Sequence, residues 1–219
     1  MSALRSMMPP VRRAQVNGVE IAYYEAGPRA GIPIVLCHGF PELAFSWRHQ
    51  IKALADAGRW VIAPDQRGYG LSSTPAGVES YGIDQLTGDL VGLLDHLDVE
   101  KAVFCGHDWG GIVVWQMPLL HPDRVAGVIG LNTPFLPRAP VDPIAIFRHR
   151  FGPDMYIVWF QTPDEPGPCW APTSRRPCAS SCAGPAPCRR PPSRPRAARP
   201  SPSRTCSSSG TAPTTAPSS

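Results

Sequence analysis

The chain has 219 residues and a formal net charge of +4, unevenly spread: the first 167 residues carry −4 and the last 52 carry +8. From Pro168 onward there is no Val, Ile, Leu, Met, Phe or Tyr, but there are eight Arg, twelve Pro and five of the seven Cys. A segment so poor in apolar side chains cannot offset the entropy of ordering itself, which excludes it from any predicted core and marks it as a disordered, low-complexity tail. Its cysteines are irregularly spaced and have no neighbouring His, so no metal site or cofactor is expected there. Met1 to Arg13 lacks the apolar stretch of a signal peptide, and no run of 18 apolar residues occurs. With Cys37 and Cys105 read as reduced, buried thiols, the expectation is a cytoplasmic chain without a membrane span.

In chain order, Asn17-Gly18 lies between the strand formers Gln15-Val16 and Val19 to Tyr24, a pattern that predicts a hairpin. Ile32 to Cys37 is a continuous apolar run, as in a strand covered on both faces, and it ends in His38-Gly39-Phe40-Pro41. Ser46 to Ala57 has Trp47, Ile51, Leu54 and Ala55 at helical spacing, with Gly58 placed to end the helix. Trp60 to Ala63 is the next strand, opening into the turn-rich Asp65 to Ser73. Ile83, Leu86, Leu90, Leu93, Leu94 and Leu97 mark an amphipathic helix. Ala102 to Cys105 is a strand, Ile112 to Leu120 a helix that Pro118 is expected to end or kink, and Val125 to Leu131 a further strand. Strands alternating with helices predict an α/β fold, a mostly parallel sheet with helices on both faces.

The segment that organises these elements is Gly106-His107-Asp108-Trp109-Gly110-Gly111. A β-branched and aromatic run passes through Gly-x-Asp-x-Gly-Gly directly into a helical pattern. This is the layout of a nucleophile elbow with Asp in place of Ser. The flanking glycines let strand and helix approach closely, and the helix N-terminus favours an ionised carboxylate. Asp108 is therefore a candidate nucleophile; on this stretch alone, an ordinary helix N-cap explains it equally well. In a parallel sheet ligands bind at the carboxyl ends of the strands, and His38 to Pro41, Asp65 to Ser73 and Asp108-Trp109 all fall there. That convergence favours the elbow.

Together with Ser46 to Gln50, Arg67 to Gly70, and Leu131-Asn132-Thr133-Pro134-Phe135, these motifs resemble, in order and spacing, the microbial epoxide hydrolases of the α/β-hydrolase fold. The resemblance covers residues 14 to 167. It implies that Asp108 attacks an epoxide carbon to form an alkyl-enzyme ester, that the backbone N–H groups of Phe40 and Trp109 form the oxyanion hole, and that Tyr156 is a lid tyrosine. The other reading of Tyr156 is a core aromatic in the apolar run Met155 to Phe160. His38, Gly39, Pro41 and His107 would border the substrate pocket, with His38 and His107 holding loops through hydrogen bonds, and Arg67 structural in its turn. The implied partners are a small-molecule epoxide and water, with no nucleic acid.

The family's acid and His, late in the chain, find no match: no His follows His149 and no acid follows Glu165. The expected fold is therefore an incomplete α/β-hydrolase sheet, with residues 1–131 forming the core, 132–167 the start of a lid and 168–219 the tail. An abrupt change of composition near Gly167 suggests a frameshift, testable by translating the other two frames. Two other functions stay open. A haloalkane dehalogenase shares the Asp elbow but usually carries Asn where this chain has Phe40. A non-catalytic protein could use its basic tail to bind nucleic acid or anionic lipid.

Overall fold

The computed structural model describes residues 7–137 and 139–161. Its contacts divide the chain into a first unit, Met1–Pro140, and a second, Val141–Ser219. The basic segment from Pro168 lies outside the described residues.

The first unit is built on six strands: β1 (Val11–Val16), β2 (Val19–Ala26), β3 (Ile34–Cys37), β4 (Val61–Pro64), β5 (Ala102–His107) and β6 (Val125–Leu131). Their spatial order is β1-β2-β4-β3-β5-β6. The pairs β4/β3, β3/β5 and β5/β6 are parallel, while the β1-β2 hairpin joins β4 antiparallel at one side. The hairpin turns through Asn17 (φ 45°) and Gly18 (φ 76°), the pair of positive φ values a two-residue turn needs to match the strand twist.

Three helices connect these strands: α1 (Arg48–Asp56), α2 (Ile83–His96) and α3 (Trp109–Leu120). The pleat sends alternate strand residues to opposite faces. Val35, Cys37, Ile62, Ala102 and Phe104 join the α2 and α3 side of the core with Leu90, Leu94, Val114 and Met117. Leu36, Val61, Ala63 and Cys105 face the other way, against Trp47 and Ile51 beside α1. Central strands with both faces covered explain why their sequences run apolar without alternation.

Two helix boundaries differ from expectation. The predicted Ser46–Ala57 helix opens as a separate 3₁₀ turn, Ala44–Trp47, before α1 begins at Arg48. At this entry the Asp65 carboxylate, from outside the helix, accepts the Ala44 N–H at 2.9 Å. Helix α3 begins at Trp109 rather than Ile112 and runs through Pro118 to Leu120. The proline therefore does not end it; the chain leaves the helix at His121, where φ is −138°.

The second unit holds α4 (Pro143–Phe151) and a short helical turn, Tyr156–Trp159. Asp142 caps α4 by accepting the Ile144 N–H at 2.9 Å, with Pro143 at the first helical position, where a missing N–H costs nothing. Tyr156 is exposed and Val158 is buried. No helix among the described residues is long and apolar enough to cross a membrane.

Candidate active site

β5 and α3 meet at Asp108, whose backbone (φ 52°, ψ −122°) lies where a non-glycine residue costs on the order of 1–3 kcal/mol. Its surroundings over-determine that conformation. The Asp108 carbonyl accepts from the Gly111 N–H at 2.9 Å and from the Thr133 hydroxyl at 2.9 Å, and the Thr133 backbone carbonyl accepts the Trp115 indole N–H at 2.7 Å. Three glycines make room. A Cβ on Gly106 would lie 2.3 Å from the Gly110 carbonyl, one on Gly110 2.3 Å from that of Cys37, and one on Gly111 2.6 Å from the Thr133 Cβ.

The Asp108 side chain makes no capping bond into α3. Instead its Oδ1 accepts the Phe40 N–H at 3.0 Å. The loop after β3 and the elbow after β5 thus meet through one backbone donor and one carboxylate. Gly39 permits that approach, since a Cβ there would sit 2.5 Å from the Asp108 Cβ.

Around this pair, His38 is completely buried. Its Nδ1 lies 2.9 Å from the Gly39 carbonyl, and its Nε2 accepts the Gln66 N–H at 3.0 Å. Burial pushes the ring below its ordinary pKa, opposed by the Gly39 carbonyl and the Asp65 and Glu42 carboxylates. His107 is partly exposed, with Nδ1 3.3 Å from Glu42 Oε2 and Nε2 3.2 Å from the Asn132 amide nitrogen. Glu42 also accepts the Gly39 N–H at 3.4 Å. Pro41 is exposed on the same loop.

The expected structural role of Arg67 takes the form of a buried ion pair. Its Nε and Nη2 grip both oxygens of Asp89, and its Nη1 donates to the Ser80 carbonyl at 2.8 Å. Asn17 in the hairpin turn donates to the same Asp89 at 3.0 Å, so hairpin, loop and α2 share one anchor.

Beside the elbow a cavity of about 530 Å³ opens, lined by Tyr69, Tyr81, Leu86, Trp109, Ile112 and Gln116 among others. Trp109, at 39% exposure, presents an indole to it. Among the described residues no cluster of three or more His, Cys, Asp or Glu could hold a metal.

Sequence reasoning brought Asp108, Phe40, Gly39, His38, His107, Pro41 and Trp109 to one end of the sheet. It placed Gln66 and Thr133 within motifs but gave no role to either, although they fasten the two loops. Their partners, His38 and Asp108, lie 28 and 25 positions away, and no local pattern signals such pairings. Tyr156 falls in the second unit.

Comparison with known proteins bears on this geometry. The family model described as the alpha/beta hydrolase fold matches residues 32–169. Epoxide hydrolase A of Mycobacterium tuberculosis is 58% identical over 156 residues, which cover 71% of this chain and 48% of that protein. Bifunctional epoxide hydrolase 2 of Sus scrofa is 48% identical over 147 residues, covering 67% of this chain and 26% of its own. The crystal structure of epoxide hydrolase A from Mycobacterium thermoresistibile superposes with a TM-score of 0.69 at 55% identity, covering 72% of this chain and 50% of that one. The chain thus spans about half the length of the first of these curated relatives.

Proposed function

The chain belongs to the α/β-hydrolase fold family, and from that membership we propose that it acts on epoxides, with Asp108 as the nucleophile. The observation that carries the proposal is the Asp108 carboxylate, held by the Phe40 amide at a strained strand-to-helix turn. The names of the relatives support the substrate class.

With Oδ1 held by Phe40, Oδ2 is the attacking atom. It forms a bond to one epoxide carbon as that carbon's bond to the ring oxygen breaks, and the ring oxygen keeps the electron pair. The oxygen then takes up a proton, a donor role that the family resemblance gives to Tyr156. The product is a hydroxyalkyl ester of Asp108. Water would next attack the ester carbonyl, the resulting oxyanion being stabilised by the Phe40 and Trp109 amides, before collapse releases a diol and restores the carboxylate. His38, Gly39, Phe40 and Pro41 lie on the loop that meets Asp108 through the Phe40 amide, and His107 and Trp109 flank Asp108 in the chain. The cavity beside Trp109 takes the apolar substituent of the epoxide.

That second half-reaction needs a base. Residues 150–219 contain no His, and the proposal for this chain therefore concerns ester formation at Asp108. Incubation with styrene oxide followed by intact-mass and peptide mass spectrometry tests the reading. One stoichiometric adduct on Asp108, absent from the Asp108→Asn variant, is expected. An unmodified wild-type chain across a panel of small epoxides, or an adduct on another residue, overturns it.

A further inference from the structure

We infer that His38 is a positioning residue: through the Gly39 carbonyl it sets the plane of the Gly39–Phe40 peptide and so aims the Phe40 N–H at Asp108. The inference rests on the reading of Asp108 as nucleophile, but its geometry stands by itself. The Gly39 carbonyl and the Phe40 N–H belong to one planar peptide unit, so holding the oxygen at one side fixes the direction of the hydrogen at the other. His38 Nδ1 lies 2.9 Å from that oxygen, and the Phe40 nitrogen lies 3.0 Å from Asp108 Oδ1.

The tautomer follows from the partners. Nε2 faces the Gln66 N–H at 3.0 Å, and a backbone N–H can only donate. Nε2 is therefore the acceptor, and the ring proton sits on Nδ1, donated to Gly39. Gln66 closes the clamp with its side-chain amide, which donates to the His38 carbonyl. The Tyr69 ring meets the imidazole edge-on at 4.9 Å, and no part of His38 is exposed. The ring therefore has one orientation. A run of bonds extends from the Gln66 N–H through the imidazole and the Gly39–Phe40 amide to the Asp108 carboxylate. Each bond polarises the next, and a carbonyl that accepts a hydrogen bond makes its own amide N–H a stronger donor.

Two variants separate the two ring nitrogens. In His38→Asn the side-chain amide nitrogen takes the place of Nδ1 and keeps the donor to Gly39. In His38→Gln the side-chain oxygen can take the place of Nε2 and keep the acceptor for Gln66, while the donor to Gly39 is lost. The first measurement, on the full chain, needs no epoxide. Nitrogen-15 NMR of the imidazole should show Nδ1 protonated. The Phe40 amide proton should shift when Asp108→Asn is introduced into the wild-type or His38→Asn background, and should not respond in His38→Gln. The second is the rate of ester formation with styrene oxide, expected to fall about 10- to 100-fold in His38→Gln and to recover most of that loss in His38→Asn. An Nε2-protonated ring, or a Phe40 amide that couples to Asp108 equally in both variants, overturns the inference. If the wild type forms no ester, the epoxide reading fails while the amide coupling still decides the role of His38.

Discussion

Replacing Gly39 by Ala probes the meeting of the two loops most directly. Gly39 does not adopt a positive φ, so Ala suffers no backbone penalty, and the effect comes from space alone. The new Cβ would lie 2.5 Å from the Asp108 Cβ, 2.8 Å from its Oδ1 and 2.9 Å from the His107 carbonyl. The Asp108 Cβ and the His107 carbonyl are fixed to the backbone and cannot swing away as a side-chain end could. Carbon atoms in contact settle at about 3.5–4.0 Å, so the loop and the elbow must separate by about 1 Å. The Phe40 nitrogen, now 3.0 Å from Oδ1, would move to about 4 Å, beyond hydrogen-bonding distance. Crowding of this kind costs about 1–3 kcal/mol, less than the roughly 5–15 kcal/mol that stabilises a domain. The variant should therefore still fold, with a lowered urea midpoint, while ester formation with styrene oxide slows about 100-fold. Gly127→Ala serves as control, because its nearest neighbours would lie 3.8 Å away. A Gly39→Ala chain that unfolds cooperatively and forms the ester as fast as wild type would show that the contact between the loops does not orient the nucleophile.

Other expectations concern stability. Asp89→Ala leaves the buried Arg67 guanidinium without its carboxylate, and urea unfolding should show a loss of about 3–5 kcal/mol; the Arg67→Met/Asp89→Leu double variant should recover most of it. Equal losses in the single and double variants would argue against the ion pair. Gly110→Ala drives a Cβ to within 2.4 Å of the Cys37 and His38 carbonyls, both backbone, and should cost more than Gly39→Ala when denaturation midpoints are compared. His38 is held neutral, its pKa lowered by burial against the opposing pull of Gly39, Asp65 and Glu42. The unfolded chain therefore binds the proton first: this contribution is complete above about pH 6.5 and is lost as pH falls below it, with a limiting slope of about 1.4 kcal/mol per pH unit. Urea midpoints between pH 7.5 and 5.5 should fall less steeply in His38→Asn, and parallel curves would contradict the assignment.

What the sequence determined by itself was whatever short-range rules encode. Asn17-Gly18 specified the hairpin turn, the apolar run Ile32 to Cys37 a strand covered on both faces, Trp60 to Ala63 the next strand, and Gly106 to Gly111 the strand-to-helix turn, the two strands forming at Ile34–Cys37 and Val61–Pro64. Each follows from steric rules acting over a few residues, legible without a partner. The 3₁₀ turn before α1 was not legible, since the Ala44 amide at its start is held by Asp65, 21 positions away. Nor were the bonds from Gln66 to His38 and from Thr133 to the Asp108 carbonyl, and the meeting of the Phe40 amide with the Asp108 carboxylate was expected from the family resemblance rather than from any local pattern. Those contacts join the ends of separate strands, and only the lateral order β4-β3-β5-β6 brings the ends together. The chemical identity of the candidate nucleophile is thus local, whereas its orientation belongs to the sheet.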